Sequence, residues 1–377
     1  AMDAETGKTR WLTAEPGGLL VGGSKRGGHQ VTPAYHDGRV FSVGSTGRLF
    51  AYDAKTGKKL WQGDIGEAHA DRAKRREAVL AKLAAGTFAS ERDPNMQSSL
   101  TVIGGRLIVP DMNGGLRGHD VATGTLVWKA PGVISKLATP SPWRHAGREY
   151  VLCGNLAGEL RLIDPTDGKE LWKVEGLGQM HPTLAPSETH VIVNSRTGSG
   201  KQKDGTRVPG LFGCWRLSLT GATKVWMMPD EPRFHVYSWA DSAGLQHSTI
   251  RDGRAYLSTG LNKEKIRCFS VVDVETGKLL STRVVEAGNP DAPHIQHLWY
   301  LIGDRIICRA DHSHGGQPQP WLMYRVGDDH SIKLMPGELD LKFVCGYEVM
   351  QEYPIIAGRW FERNRAGEVV CYDLRAK

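Results

Sequence analysis

The stretch Ala51-Tyr52-Asp53-Ala54-Lys55-Thr56-Gly57-Lys58-Lys59-Leu60-Trp61 decides the fold. It reads as a strand, a tight turn and a second strand. Asp53 caps the turn with its carboxylate, Gly57 supplies a positive φ, and Trp61 packs the outer strand onto its neighbour. The pattern recurs as Asp120-Val121-Ala122-Thr123-Gly124 ending in Trp128, and as Asp164-Pro165-Thr166-Asp167-Gly168 ending in Trp172. A weaker copy runs from Ser218 to Trp226, and another is Asp273-Val274-Glu275-Thr276-Gly277 through Ser281. Ahead of each copy lie two more strand-like runs, such as Arg39-Val40-Phe41-Ser42-Val43 and Arg106-Leu107-Ile108-Val109. Four strands per unit make one propeller blade.

These copies follow A-x-D-x-x-T-G-x-x-x-W, and in that motif the chain resembles the PQQ-like repeat family over essentially its whole length. The resemblance implies an all-β fold. The number of blades follows from the phase of the repeat. The chain opens with Asp3-Ala4-Glu5-Thr6-Gly7 and reaches Trp11, and it ends with Val369-Val370-Cys371-Tyr372-Asp373. Equivalent positions fall near 3, 53, 120, 164, 218, 273, 326 and 373, which enclose seven intervals of about 53 residues. The expectation is a single-domain, seven-bladed β-propeller over residues 1–377. Its blades are four-stranded, and the amino-terminal strand joins the carboxy-terminal blade to close the ring. The sixth unit is degenerate.

Composition agrees with such a repeat. There are 11 Trp against 8 Phe, as expected of a Trp-anchored unit, and 46 Gly to serve its many turns. The six Cys (153, 214, 268, 308, 345 and 371) are scattered without a C-x-x-C or an adjacent pair, so they read as buried free thiols. The formal charge of +7 is spread over the chain and favours an anionic small molecule or polymer over a nucleic-acid duplex. No apolar stretch is long enough to span a bilayer. Ala1-Met2 reads as an appended start, so a natural leader is expected to have been trimmed. The resemblance implies a periplasmic or secreted location, and a monomer is expected.

Two stretches interrupt the rhythm. Residues 64–95 hold a helix-like insert from Glu67 to Ala85, with Val79, Leu80 and Leu83 as its apolar stripe and Gly86 as its stop. Residues 194–210 form a Gly-rich basic loop with Arg196, Lys201, Lys203 and Arg207. Its Gly198-Ser199-Gly200-Lys201 lacks the spacing of a phosphate-binding loop, which excludes nucleotide binding there.

In a propeller, the innermost strands line a central channel, and their first residues converge at one mouth. PQQ-like repeats usually place Ser or Thr, often followed by Pro, at that start. Here the first three blades have Thr32, Ser99 and Thr139, whereas the next three are read as His181, His247 and His297, with Glu352 or Tyr353 in the seventh. Asp311-His312-Ser313-His314 opens on the same side, and an H-x-H pair on a strand puts both rings on one face. Imidazoles from neighbouring blades beside a carboxylate suit a divalent metal such as Zn, Mn, Fe or Cu, from which Ca is not distinguished. The expected ligands are His181, His247, His297, His312, His314 and Glu352. The plain alternative is channel histidines hydrogen-bonded to backbone and water.

Lys136, Arg196, Tyr237, Asn262 and Arg359 are further polar residues expected at the mouth, and His235 and Trp239 flank Tyr237 in a connection suited to stacking on a sugar. Three functions follow. Quinoprotein alcohol dehydrogenases carry this motif, but with eight blades and an adjacent Cys pair, so PQQ is not expected here. An outer-membrane-protein assembly lipoprotein with the same repeat acts as a scaffold without a cofactor. Polysaccharide lyases offer an analogy of architecture alone. In that reading a metal-assisted carbohydrate-active enzyme takes a uronate-containing oligo- or polysaccharide, with Tyr237, Arg196 and Lys136 as catalytic residues. Trp239, His235, Arg359 and Asn262 bind its substrate. The carbohydrate-active reading leads slightly, and the scaffold is its alternative.

Overall fold

The computed structural model describes residues 1–15, 32–44, 47–65, 77–78, 80–82, 84–86, 98–111, 114–135, 138–180, 183–196, 210–234, 248–259, 268–284, 299–309, 321–335, 355–363 and 369–375. They form seven antiparallel sheets, each made of strands consecutive in the chain. Blade 1 comprises Ala34–His36, Arg39–Val43, Arg48–Asp53 and Lys59–Asp64. Blades 2 and 3 run from Thr101–Ile103 to Leu126–Ala130 and from Ser141–His145 to Glu170–Val174. Blades 5 and 6 run from Ser248–Arg251 to Leu279–Val284 and from Trp299–Ile302 to Ile332–Leu334. The degenerate sixth unit therefore keeps all four strands. Blade 4 pairs three strands, His190–Arg196, Gly210–Leu217 and Ala222–Met227. Blade 7 also pairs three, Ile355–Ile356, Arg359–Arg363 and Val369–Asp373. The protein is a seven-bladed β-propeller on a four-stranded plan, with almost no helix among the described residues. Within the insert, the described residues between 77 and 84 are helical.

The core lies between neighbouring sheets. Phe41, Leu49, Leu107 and Val109 fill the space between blades 1 and 2, and Ile108, Leu116, Val151 and Ile163 fill the next. Leu152, Val191 and Trp215 join blades 3 and 4; Phe212, Leu257 and Val272 join blades 4 and 5; Phe269, Ile306 and Tyr324 join blades 5 and 6. Each such side chain contributes about 1.5–3 kcal/mol by burial. These layers explain why the strands read as apolar runs rather than strict alternation, since both faces of each blade are covered.

The repeat motif locks each of blades 1 to 4 to the blade that follows it. The indole Nε1–H of Trp61 donates to the Val121 carbonyl (3.1 Å), that of Trp128 to Pro165 (2.8 Å) and that of Trp226 to Val274 (2.9 Å). The ring then lies on the turn glycine of the following blade. A Cβ on Gly124, Gly168 or Gly277 would stand 2.6 Å from the Trp it meets. Glycine is needed there twice, for a φ near +75° and for the contact. Trp11 repeats the arrangement on blade 1, donating to the Ala54 carbonyl (2.9 Å) over Gly57.

The two ends of the chain meet, as the repeat phase requires. The Asp3–Gly7 turn keeps its own hairpin bridge, Met2 to Thr9, and Glu5 forms ion pairs with Arg359 and Arg375 of blade 7. The junction is made by side chains. Among the described residues no ladder joins the amino-terminal segment to Val369–Asp373.

Candidate functional site

Every blade has two edges. The turn edge carries the hairpin between the first and second strands and the motif turn between the third and fourth. Here the Asp carboxylate accepts from backbone and hydroxyl at once. In blade 1, the Thr56 N–H and Oγ1 both donate to Asp53 Oδ1 at 2.7 Å. The Thr56 hydroxyl, and then its N–H, hold Asp53 below the usual carboxylate range; in blade 2 the Thr123 N–H leads the same effect on Asp120. Arginines opening the second strands answer these carboxylates, as Arg106 does with Asp120 at 3.5 Å. A cavity of about 500 Å³ opens at this edge between blades 2 and 3. Its Glu149 is satisfied from within, accepting from the Gly104 N–H (3.0 Å) and Arg144 Nε (2.9 Å).

At the mouth edge, the starts of the innermost strands form a relay. The Thr32 N–H donates to Ser99 Oγ (3.1 Å), the Ser99 N–H to Thr139 Oγ1 (3.2 Å), and the Thr139 N–H to Thr183 Oγ1 (3.0 Å). Each accepting hydroxyl thus satisfies a backbone donor that the preceding strand start would otherwise leave unpaired. The first three members are those expected from sequence. The fourth is Thr183, two residues beyond the His181 that was read into this column.

The hairpins supply an independent count. The pairs His36↔Arg39, Ile103↔Arg106, Arg251↔Arg254, Ile302↔Arg305 and Ile356↔Arg359 close equivalent two-residue loops in blades 1, 2, 5, 6 and 7. In blade 4 the Ser187 N–H donates to the His190 carbonyl (2.8 Å) across the same loop length. Counting back four residues from the first member of each pair gives Thr32, Ser99, Thr183, His247, Leu298 and Glu352. Blade 3 closes on His145↔Arg148, and its hairpin reaches two residues further, so the relay and not the count identifies Thr139. By sequence count alone, His247 and Glu352 fall at the counted position, while His181 and His297 fall two residues and one residue before it; all four lie outside the described residues.

Of the other expected site residues, Arg359 is the one whose side chain is described, and it lies at the wrong edge. It opens the second strand of blade 7 opposite Asp373, is 8% exposed, and is ion-paired with Glu5. The residue after a hairpin belongs to the turn edge, not to the mouth, so Arg359 serves the ring junction. Arg196 ends the second strand of blade 4 at the mouth edge, its backbone paired with Gly210. Lys136, Tyr237, Trp239, His235, Asn262, His181, His247, His297, His312, His314 and Glu352 lie outside the described residues. Among the described residues, no three His, Cys, Asp or Glu side chains gather to hold a metal ion.

Buried titratable groups elsewhere are structural. Cys153 and Cys214 sit in strand interiors, where burial pushes each thiol up to about 12, too high for a nucleophile at neutral pH. His119 is 1% exposed, with Nδ1 3.0 Å from the Gly124 carbonyl, and burial holds it below the usual histidine value. His190 is equally buried; burial again lowers it, with the charge of Arg216 adding to the effect while Glu275 opposes it. Neither histidine stood out in the sequence, because each replaces an apolar or Arg position of the repeat without altering its rhythm.

A family model described as outer membrane protein assembly factor BamB matches residues 1–179 and 112–298. The chain belongs to this family. Its PQQ-like repeats and blade geometry are those already described. BamB from Moraxella catarrhalis superposes with a TM-score of 0.57 at 13% identity, over 92% of this chain and 85% of that one. Quinohemoprotein alcohol dehydrogenase from Comamonas testosteroni superposes at 0.53 and 12% identity, over 96% of this chain and 66% of that one. At such identities the BamB and dehydrogenase structures share the fold alone. A curated relative, quinoprotein alcohol dehydrogenase PedH from Pseudomonas putida, is 54% identical over 43 residues, which are 11% of this chain and 7% of PedH. The 43-residue match is shorter than one repeat interval. Among the described residues of this family member, no helix is long and apolar enough to cross a membrane.

Proposed function

We propose that the protein is a non-catalytic scaffold that docks protein partners on the mouth edge of blades 4 to 7. One observation carries this reading: besides the 65–100 insert between blades 1 and 2, the long connections at that edge all fall between Arg196 and Ile355. In blades 2 and 3 the second and third strands are joined by 111–115 and 155–159, whereas blades 4, 5 and 6 use 197–209, 260–267 and 310–320. The connections from blade 4 to 5, 5 to 6 and 6 to 7 span 228–247, 285–298 and 335–354. The turn edge meanwhile keeps its two-residue hairpins in most blades. Variable connections on a rigid frame are where recognition is built. Membership of a family described by outer-membrane-protein assembly favours components or clients of such an assembly machine, and with them a periplasmic location. The basic stretch 197–209, with Lys201, Lys203 and Arg207, and the net charge of +7 favour acidic partner surfaces.

Replacing 197–209 with a short Gly-Ser turn is expected to weaken binding to purified assembly components in a surface-immobilised assay, with the melting temperature unchanged. Unchanged affinity would overturn the assignment of the docking edge. The metal-assisted carbohydrate reading survives on His247 and Glu352, which share the counted column, with His312 and His314 as further ligands. Elemental mass spectrometry of the wild type beside His247→Ala tests it. Stoichiometric metal lost in the variant, with a rise in ultraviolet absorbance on a uronate glycan, would replace the scaffold reading.

A further inference from the structure

The cavity of about 500 Å³ at the turn edge is walled by the long hairpin of blade 3, whose Arg144, His145 and Arg148 line it. Ala146, Pro165 and, from the hairpin of blade 4, Glu188 line it as well. The tip of this hairpin differs in charge from its equivalents. In blade 1 Asp37 answers Arg39 at 3.7 Å, in blade 5 Asp252 answers Arg251 at 3.5 Å, and in blade 6 Asp304 answers Arg305 at 3.3 Å. Blade 3 has Ala146 at its tip, with a φ of +48°, where Asp37 and Asp252 have +45° and +51°. Three basic side chains therefore gather at a tip that carries no carboxylate.

Each of the three is held in place by contacts that leave most of its donors unspent. Arg144 donates Nε to Glu149 Oε1 (2.9 Å), and the Gly104 N–H steadies Glu149 Oε2 (3.0 Å). Arg148 donates Nη2 to Asp164 Oδ2 (3.4 Å) and lies over the Tyr150 ring, 5.3 Å from its centroid. His145 stacks on Trp143 at 5.0 Å, with 21° between the rings. Among the described residues, both terminal nitrogens of Arg144, Nε and Nη1 of Arg148 and both ring nitrogens of His145 make no hydrogen bond to protein. The two arginine side chains are 74% and 60% exposed, so their free N–H groups are open to a ligand. Oriented guanidinium donors match the two oxygens of a carboxylate.

We propose that this cavity binds a small organic monocarboxylate. Its carboxylate takes the free N–H groups of Arg144 and Arg148, and its body rests against the His145 ring and Pro165. A ligand with a body is required because the cavity is far larger than a bare ion; pockets for small molecules have volumes of about 300–1,000 Å³. A single negative charge is favoured over two, since Glu149 and Glu188 share the lining and each repels an added anion. The site lies at the turn edge and does not rest on docking at the mouth edge, so either reading can fail without the other.

The test titrates the 377-residue protein with benzoate, with its neutral counterpart benzamide and with inorganic phosphate, read by NMR on the His145 ring protons. Benzoate is expected to shift them saturably, benzamide to leave them in place, and phosphate to bind more weakly than benzoate. Arg144→Gln and Arg148→Gln should each weaken benzoate by about tenfold, the loss of one charge-assisted pair. Glu188→Gln should tighten it. Ala146→Asp gives this tip the carboxylate that blades 1 and 5 carry in the same left-handed conformation, and should abolish binding without lowering the melting temperature. No saturable shift with benzoate, an equal shift with benzamide, tighter binding of phosphate, or unchanged benzoate affinity in Ala146→Asp would overturn the proposal.

Discussion

The turn edge and the mouth edge belong to the same sheets, yet they are built differently. At the turn edge, Asp53, Asp120 and Asp273 make the same hydrogen bonds to backbone and Thr, and Trp11, Trp61, Trp128 and Trp226 lie on the same glycine. At the mouth edge the hydroxyl relay runs from Thr32 to Thr183, and the connections there differ widely in length, from 111–115 to 65–100. One edge holds the ring together and repeats. The other varies in the length of its connections, and it is the edge proposed for recognition.

The largest effect that would sharpen this contrast is at Trp128. Trp128→Ala removes a 7%-exposed ring, its bond to Pro165 and the cover of Gly168, and should cost about 3–5 kcal/mol in urea denaturation. The half-buried Trp11 should cost clearly less. Equal losses would mean that the ring junction is as tight as an internal blade contact.

The next effect concerns the relay. Thr183→Val keeps the shape but leaves the Thr139 N–H without its acceptor, at a cost of about 1–3 kcal/mol. His181→Ala should change stability far less. The reverse order would restore His181 to the column and break the register assigned here.

Smaller still is the response to acid. His119 and His190 are held below the ordinary histidine value, so the neutral ring belongs to the folded state. Their contribution is complete above about pH 6.5 and is lost as pH falls through their folded values. The turn carboxylates Asp53, Asp120 and Asp273 are likewise lowered, and their contribution persists until pH falls below about 4. Chemical denaturation between pH 7 and 3 should therefore show two limbs. Only the upper one should disappear in the double variant His119→Gln, His190→Gln; a single limb in the wild type would contradict this account.

The turn edge was legible in the sequence because its chemistry is local. Asp, Thr, Gly and Trp at fixed spacing specify a turn and a docking ring wherever they occur, and from their phase the seven blades followed. The mouth edge was legible only in part. Met180-His181-Pro182-Thr183 contains both an imidazole and a hydroxyl near the right place, and only the bond from Thr139 selects Thr183. Blade 3 has a longer hairpin, so counting from its turn misplaces the strand start by two residues. Arg359 shows the same limit, since its edge depends on the strand at which it falls. Long connections carry no spacing rule at all, which is why Tyr237, Trp239 and Asn262 were chosen by residue type alone.

The most direct test of the central claim compares the two edges in one binding assay with purified outer-membrane-protein assembly components. One variant shortens 197–209 and 310–320 at the mouth edge; the other reverses Arg144 and Arg148, exposed at the turn edge. The account predicts that the first variant loses binding and the second keeps it. Binding that survives the first and fails in the second would contradict it.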